Sequence, residues 1–514
     1  MFDKVLIANR GEIAVRVIRA CRELGVKTVA VYSDEDRDGL HARLAAESRA
    51  LGGGGNARTY LNIDKIVGIA LETGADAVHP GYGFLSERTE FCDAVEAKGI
   101  TFIGPKPKSI AAMGSKTEAR AIMEKAGVPL TPGSPPLTDT EAAKEWAREI
   151  GYPVMLKASY GGGGMGMIVV HDESELAKRF ETASAQALAA FGNGEMFLEK
   201  FLTKPRHIEI QVARDADGEG VYVGERECSI QRRFQKLIEE APSPVVDDKI
   251  LKRMGEASLL AAEAVEYVNV GTCEYIFEDG DFFFNEMNTR LQVEHPVTEM
   301  VYGVDLVHWQ LHIASGEALP RKQKDLVPNG WAIEARVNAE DPFTDFMPTP
   351  GPVATYLPPG GPGIRIDSHL YPGYTVPSAY DSMVAKVIAW GEDRQQAIGR
   401  LHRGLSEYDV GELTTNIPFH LLVLRDDAFV SGDYHTGFVR DSGIMDRLQS
   451  TRAAHEQAAE RRLAAAIAGI EAYHGTDRYM RLVAAARSRK ETEVVRGSKW
   501  KHVARRESLR RGVD

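Results

Sequence analysis

Glu286-Met287-Asn288-Thr289-Arg290-Leu291-Gln292-Val293-Glu294 sets the fold and the chemistry expected of this 514-residue chain. Its polar residues, Glu286, Asn288, Arg290, Gln292 and Glu294, fall at every second position. In an extended strand such residues share one face, about 6–7 Å apart along the chain. A half-buried strand also alternates, but its outward face seldom carries two carboxylates, an amide and a guanidinium together. Two carboxylates and an amide suit a hard divalent cation, which takes oxygen ligands. The guanidinium and the second carboxylate suit a small oxyanion and a base. Such a row cannot stay straight and still act as one centre, because strand geometry would separate Glu286 from Glu294 by roughly 26 Å. The strand is expected to end near Thr289 or Arg290 and to curl back.

Just upstream, Asp279-Gly280 stands between the apolar runs Tyr275-Ile276-Phe277 and Phe282-Phe283-Phe284 and reads as a hairpin turn. For Glu274 and Glu286 to lie opposite each other and point the same way, the loop needs an odd number of residues. The expectation is a three-residue loop with Gly280 left-handed; a two-residue turn would put the carboxylates on opposite faces unless a bulge corrects it.

The chain is long enough for two to four domains. An apolar content of 43% and a charged content of 26% are ordinary for a soluble α/β enzyme. No stretch approaches the roughly 20 apolar residues that cross a bilayer. Met1-Phe2-Asp3-Lys4 runs directly into the strand-like Val5-Leu6-Ile7-Ala8, so no signal peptide is expected. Cys21, Cys92, Cys228 and Cys273 lack metal-ligand spacing and read as reduced thiols of a cytoplasmic protein. A net charge of −12 argues against a nucleic-acid binder. Residues 451–514 nonetheless hold 15 Lys and Arg against 8 Asp and Glu, leaving −19 on the remainder. That basic end reads as a docking segment or a solvated tail.

Strand-like runs at 5–9, 28–33, 77–81 and 101–104 alternate with helical patterns, the clearest at 12–24 with Gly25 as its stop. This βαβ pattern implies a parallel, doubly wound sheet. Asn9-Arg10-Gly11-Glu12 at its first strand–helix turn lacks G-x-G-x-x-G, so no dinucleotide site is expected there. From about Met113 the pattern becomes α+β, with a helix near 116–126. A third, mostly β region follows Trp331, with no long helix until about residue 394. Beyond 443 the chain turns Ala/Arg/Glu-rich and helical, over 453–473.

Two further groups carry chemistry. Lys157-Ala158-Ser159-Tyr160-Gly161-Gly162-Gly163-Gly164-Met165-Gly166 puts five glycines after a strand-borne lysine. Glycines let backbone N–H groups approach phosphate oxygens, and with Glu199-Lys200-Phe201-Leu202 on a later strand the run suits a lid over a nucleotide. A flexible hairpin tip is the plainer alternative. His207, Glu209 and Gln211 alternate on one expected strand face, followed by the charged run from Glu225 to Lys236. Beside the carboxylate hairpin these point to a phosphate or bicarbonate pocket rather than a solvated surface.

Taken together, residues 1–440 resemble biotin carboxylase, a member of the ATP-grasp superfamily. The resemblance rests on Ile7-Ala8-Asn9-Arg10-Gly11-Glu12-Ile13-Ala14, on His79-Pro80-Gly81-Tyr82-Gly83-Phe84-Leu85-Ser86-Glu87, and above all on Glu286 to His295. It implies a multidomain α/β and α+β chain: a Rossmann-like pre-ATP-grasp domain (1–112), an ATP-grasp domain with a glycine lid (113–330), a β-rich C-terminal domain (331–442) and a basic helical tail (443–514). Carried over position by position, Lys116, Lys157, Glu199, Lys200, Leu202, His207 and Gln231 would bind ATP, with Gly163 and Gly164 in its phosphate lid. Glu274, Glu286 and Asn288 would hold Mg²⁺ or Mn²⁺. Lys236, Arg290, Gln292 and the Val293 backbone would hold bicarbonate, with Glu294 its general base. Arg336, in Glu334-Ala335-Arg336-Val337-Asn338, would face bicarbonate and biotin.

Three departures stand out: Tyr160 where the family has Gly or Ala, Met165 where it has Arg or Lys, and Phe234 where His or Asn often lies near the ribose. They imply a raised KM for ATP with the chemistry intact. No Ala-Met-Lys-Met-type biotinylation site and no carboxyltransferase-sized region occur. The expected partners are therefore a biotin carboxyl carrier protein and a separate carboxyltransferase subunit for an acyl-CoA or pyruvate. A homodimer is expected through Arg19 and Glu23, with no nucleic acid and no membrane insertion. The competing readings are an ATP-grasp ligase of other specificity and a non-catalytic regulatory subunit.

Overall fold

A computed structural model describes residues 1–159 and 167–452 of the chain. The glycine run with Tyr160, Gly163, Gly164 and Met165, and the expected tail helix at 453–473, lie outside the described residues.

The first sheet contains β1 (Lys4–Ile7), β2 (Lys27–Ser33), β3 (Glu47–Gly52), β4 (Ala77–His79) and β5 (Thr101–Phe102) in the order β3-β2-β1-β4-β5, all parallel. Val5, Leu6 and Ile7 are fully buried, as a strand covered on both faces requires. The expected helix is present as Gly11–Glu23, burying Ile13, Val17 and Ala20, with Gly25 at φ +74 beyond it. β3 was not expected, because Glu-Ser-Arg-Ala-Leu-Gly carries too little apolar character to read as a strand. The loops at the carboxyl ends of β1 and β4, the usual ligand position in such sheets, are tied to each other by hydrogen bonds. Asn9 Nδ2 donates to the carbonyls of Pro80 and Tyr82, both at 2.8 Å, and the Tyr82 hydroxyl donates to Glu12.

A three-stranded antiparallel sheet follows: β6 (Val154–Ala158), β7 (Met167–Val170) and β8 (Met196–Lys200), in the order β7-β6-β8. Val154, Leu156, Val170 and Leu198 pack beneath it with Leu176 and Phe180 of helix Glu173–Phe191. The largest sheet has eight antiparallel strands. It is built from β9 (Arg206–Arg214), β10 (Gly220–Arg232), β11 (Gln235–Ala241), β12 (Asn269–Glu278), β13 (Asp281–Asn288) and β14 (Trp331–Asn338). The short pairs β15 (Glu340–Asp341) with β16 (Met347–Pro348) and β17 (Gly351–Pro352) with β19 (Thr375–Val376) lie outside it. Its last members are β18 (Ile364–Ser368) and β20 (Met383–Gly391), giving the order β13-β12-β9-β10-β11-β14-β20-β18. Helix Arg394–Glu407 begins where a long helix was expected. The sheet is continuous across residues 330–331, through the β11–β14 pairing.

The acidic hairpin corrects one expectation. Its loop is the two-residue turn Asp279-Gly280, with φ +53 and +87, not a three-residue loop. Glu278 pairs with Asp281 and Tyr275 with Phe284; the register then shifts by one, so that Glu274 pairs with Glu286. The extra residue, Asn285, is a bulge that turns the second strand over and supplies the parity the loop does not. A second bulge, in β10 between Tyr222 and Glu225, contains Gly224 at φ +69. A Cβ there would fall 2.3 Å from the Tyr302 hydroxyl oxygen. Gly224→Ala is expected to destabilise the protein by about 2–4 kcal/mol through overpacking and left-handed strain combined. An unchanged denaturation midpoint would contradict this.

A second unit comprises, among the described residues, Phe343–Asp345 and 443–452. In its described part, Gln449 Nε2 donates to the Phe343 carbonyl at 2.9 Å and the Arg452 guanidinium lies over the Phe343 ring.

Candidate active site

Register across the large sheet lines up one charge from each of four strands: Glu286 on β13 beside Glu274 on β12, Glu274 beside Glu209 on β9, and Glu209 beside Arg226 on β10. Directly paired residues point to the same side with Cβ atoms about 4.5–5.5 Å apart. Three adjacent carboxylates and one guanidinium therefore form a row. β13 ends at Asn288, as the reach argument requires, and residues 289–294 curl back over the row.

The curl brings both ends of the motif to one cation. Lys236 Nζ on β11 contacts Glu209 Oε2 at 2.7 Å, Glu274 Oε1 at 3.0 Å and Glu294 Oε1 at 2.6 Å. Gln292 bridges the same groups: its Nε2 donates to Glu274 Oε1 at 2.7 Å, and its Oε1 accepts from Arg226 Nη2 at 2.7 Å. Glu294 also accepts from Arg336 Nη2 at 2.9 Å. The Val293 carbonyl accepts from the buried ammonium of Lys386 at 2.8 Å. Arg290 donates to Asn288 Oδ1 at 2.8 Å and pairs with Glu87 at 3.0 Å, while Asn288 Nδ2 donates to Glu274 Oε1 at 2.9 Å.

These contacts set the charges. Burial would raise the Glu294 carboxyl, but Lys236, Arg336 and Arg226 outweigh it and hold the group at about 2. Glu274 and Glu209 lie below the ordinary carboxylate range for the same reason: burial opposes ionisation, and Lys236 with His207 at Glu274, or Arg226 with Lys236 at Glu209, prevails. His207 Nε2 lies 3.2 Å from Glu274 Oε2. Burial lowers His207, yet the Glu274 charge lifts it to about 9, so it is a cation at neutral pH. His207, Glu209 and Glu274 present ligand-type atoms within 4.8 Å of one another. Lys236 already bonds to two of these three residues, so that group is an internal ion-pair cluster. Glu274 of that cluster, with Glu286 opposite it and Asn288 bonded to it, forms an oxygen-donor set of the kind that suits a hard divalent cation.

The residues expected to bind a nucleotide are brought together in part. Lys157 on β6 and Glu199 on β8 form an ion pair, and Arg120 Nη1 holds the other Glu199 oxygen at 3.0 Å. Lys200 points away from that pair, its ammonium donating to the carbonyls of Gly151 at 2.8 Å and Tyr152 at 3.3 Å. Leu202 is half-buried just after β8, and Gln231 Nε2 reaches the Cys228 carbonyl at 3.5 Å. Lys116 opens helix Lys116–Lys125; its side chain lies outside the described ones. Phe234 sits at the turn between β10 and β11 at φ +66 and is 76% exposed, so its ring stands in solvent there.

Sequence reasoning missed the hub. Arg226 is fully buried and donates to Glu209, Gln211, Thr298, Thr272 and Gln292. Its only sequence signal is the odd density of Glu225-Arg226-Glu227 between apolar neighbours. Glu239 and Lys386 also escaped assignment, whereas Glu209 is expected from sequence only as part of the strand face at 207–211.

The chain also has relatives. Residues 1–110 match the family model for the biotin carboxylase N-terminal domain, 115–322 that for the carbamoyl-phosphate synthase L chain ATP binding domain, and 334–441 that for the biotin carboxylase C-terminal domain. Biotin carboxylase 1 of Bacillus subtilis is 50% identical over 448 residues, covering 87% of this chain and 100% of the relative. The biotin carboxylase of a Nostoc species is 51% identical over 442 residues, covering 86% and 99%. Among solved structures, the biotin carboxylase domain dimer of Hydrogenobacter thermophilus 2-oxoglutarate carboxylase, in complex with MgADP, ADP and bicarbonate, is 46% identical with a TM-score of 0.80. That match covers 87% of this chain and 99% of the other.

Proposed function

This chain belongs to the biotin carboxylase family and is an ATP-dependent carboxylase, and from that premise we infer how its own residues divide the work. It uses ATP and bicarbonate to carboxylate biotin borne on a carrier protein. Lys236, Arg290, Gln292 and the Val293 backbone receive bicarbonate, and Glu294 removes its proton. Bicarbonate is a poor nucleophile toward phosphorus until that proton leaves, and a carboxylate touching the hydroxyl supplies the base. In the resting site Lys236 and Arg336 occupy the Glu294 oxygens. An arriving anion that draws these cations to itself restores basicity to Glu294 at the moment it is needed.

Phosphoryl transfer then needs chiefly positioning and charge neutralisation. Lys157, Glu199, Leu202, His207 and Gln231 are proposed to bind ATP, and Lys116, Lys200, Gly163 and Gly164 are the further candidates that the family resemblance implies. Glu274, Glu286 and Asn288 would hold Mg²⁺ or Mn²⁺, which supplies charge neutralisation at the phosphates when bound. Arg336 stands where a cation offsets negative charge developing on the biotin ureido oxygen.

The observation that carries this reading is the single ammonium of Lys236 bonded to Glu209, Glu274 and Glu294 together. It joins the metal end and the base end of the motif in one centre. The test is ATP hydrolysis by the purified chain with bicarbonate and free biotin. Cleavage that depends on both is expected. Cleavage driven by another carboxylate without bicarbonate would indicate a ligase of other specificity, and none at all a regulatory subunit.

The proposed division of the chain is 1–112, 113–330, 331–442 and 443–514. A carboxyltransferase subunit completes the system by choosing an acyl-CoA or pyruvate acceptor. Homodimerisation through the first helix is supported by Arg19 and Glu23, both exposed there. Among the described residues no helix is long and apolar enough to cross a membrane. A cytoplasmic location is supported by four buried, unpaired cysteines.

A further inference from the structure

Two fully buried glutamates lie behind the site, and no step above uses them. Glu239 on β11 and Glu334 on β14 are direct cross-strand partners, so their carboxyls share one face of the sheet. Arg336, two residues beyond Glu334, shares that face, with Lys386 opposite it on β20. Glu239 Oε1 accepts from Arg336 Nε at 2.5 Å and lies 2.5 Å from its Nη2, the nitrogen that also reaches Glu294. Arg336 Nη1 has no partner among the described residues. The second oxygen of Glu239 and both oxygens of Glu334 are buried without a hydrogen bond. Two ionised carboxylates cannot sit side by side in such a place at ordinary cost: each would be a desolvated like charge beside the other.

We propose that this pair carries one proton, held on Glu334, and that Glu239, left ionised, is the positioning residue that pins the Nε edge of Arg336 and leaves Nη1 for the substrate anion. The assignment follows the donors: Glu239 has a guanidinium on one oxygen, whereas Glu334 has none on either. Arg336 and Glu334 on β14, Glu294 in the turn, and Lys236 on its own strand face Glu239; Cys228 on β10 lies close by. Glu334 is faced by Lys386, Glu239, Arg336, Glu294 and Tyr82. Burial pushes Glu239 up to about 7, with Arg336 pulling it down and Glu294 pushing it further. Burial holds Glu334 well above the carboxylate range against the pull of Lys386. The Arg336 anchor is therefore present above about pH 7 and is lost as pH falls through that value.

The proposal rests on Arg336 meeting bicarbonate and biotin, and the assay separates the two claims. Full-length protein is assayed with free biotin, bicarbonate and ATP from about pH 6 to 9. In the wild type, kcat/KM for biotin should fall on the acid side through about 7. Glu239→Gln should lower it about tenfold at the alkaline end, flatten the acid fall and leave the KM for ATP unchanged. Glu239→Asp should recover part of the loss. Glu334→Gln, neutral like the acid it replaces, should stay within about twofold of wild type. A wild-type biotin profile in Glu239→Gln, or an equal loss in Glu334→Gln, would overturn the proposal. Should Glu239→Gln fail to fold, infrared difference spectra decide: a protonated-carboxyl C=O band at alkaline pH, present in wild type and missing in Glu334→Gln, supports the proposal, and its absence from wild type overturns it. Failure of the family reading would show separately, as wild-type ATP cleavage uncoupled from bicarbonate and biotin.

Discussion

Replacing Glu294 by Gln is expected to slow bicarbonate-dependent ATP cleavage about a thousandfold, within the range general-base removal produces, while ATP affinity changes less than about twofold. Gln fills the same volume in a residue only 2% exposed, so the turn keeps its packing. One amide oxygen can still accept from Lys236, as Glu294 Oε1 does at 2.6 Å. The amide has no basicity to take the bicarbonate proton. Its NH₂ would also face Arg336 Nη2, which Glu294 Oε2 now accepts at 2.9 Å, so one donor contact is lost as well. The nucleotide-side groups Lys157 and Glu199 contact each other and not Glu294, so binding should survive. Single-turnover phosphate release and calorimetric ATP titration read the two quantities independently. Turnover near wild type would remove Glu294 from the mechanism.

The second large effect is structural. Arg226→Met is expected to cost about 3–5 kcal/mol, read as a lower denaturation midpoint, with turnover lost alongside. Methionine roughly fills the space but donates nothing. The Glu209 carboxylate would keep Lys236 and lose its guanidinium, leaving a buried charge half-compensated. Gln211 and Gln292 would each lose a 2.7 Å donor, and Thr272 and Thr298 one at 3.0 Å. Gln292 is tied to Glu274, so the turn proposed to hold bicarbonate would slacken with it. Arg226→Lys should rescue little, because one ammonium cannot span acceptors arranged around a planar fork. A midpoint unmoved in Arg226→Met would show that water or neighbouring side chains replace those five bonds.

Much of this site was legible from residue order. The period-two row from Glu286 to Glu294 announces one face, and the reach of an extended chain alone demands the curl after Asn288 that the structure has. The hairpin was read correctly in outcome and wrongly in means. Asn285 follows three phenylalanines and looks like the next outward residue of a regular strand, so nothing local marks it as the bulge that brings Glu274 opposite Glu286. Arg226 was hidden for another reason. Within the charged run from Glu225 to Lys236, expected to border an anion pocket, nothing singles it out, and its partners lie 15 to 72 residues away. Lys386 between Ala385 and Val387 looks like a snorkelling surface residue, yet it is fully buried under the Val293 carbonyl. Charges that neutralise one another across a sheet leave no trace in sequence periodicity, because the pairing lives in register.

The central claim is that the motif closes around one bicarbonate and presents it to the terminal phosphate of ATP. Oxygen-18-labelled bicarbonate tests it most directly. With biotin present, attack by bicarbonate predicts one labelled oxygen in the phosphate released by each ATP cleavage. Phosphate without label would mean that water attacks instead, and would contradict the account.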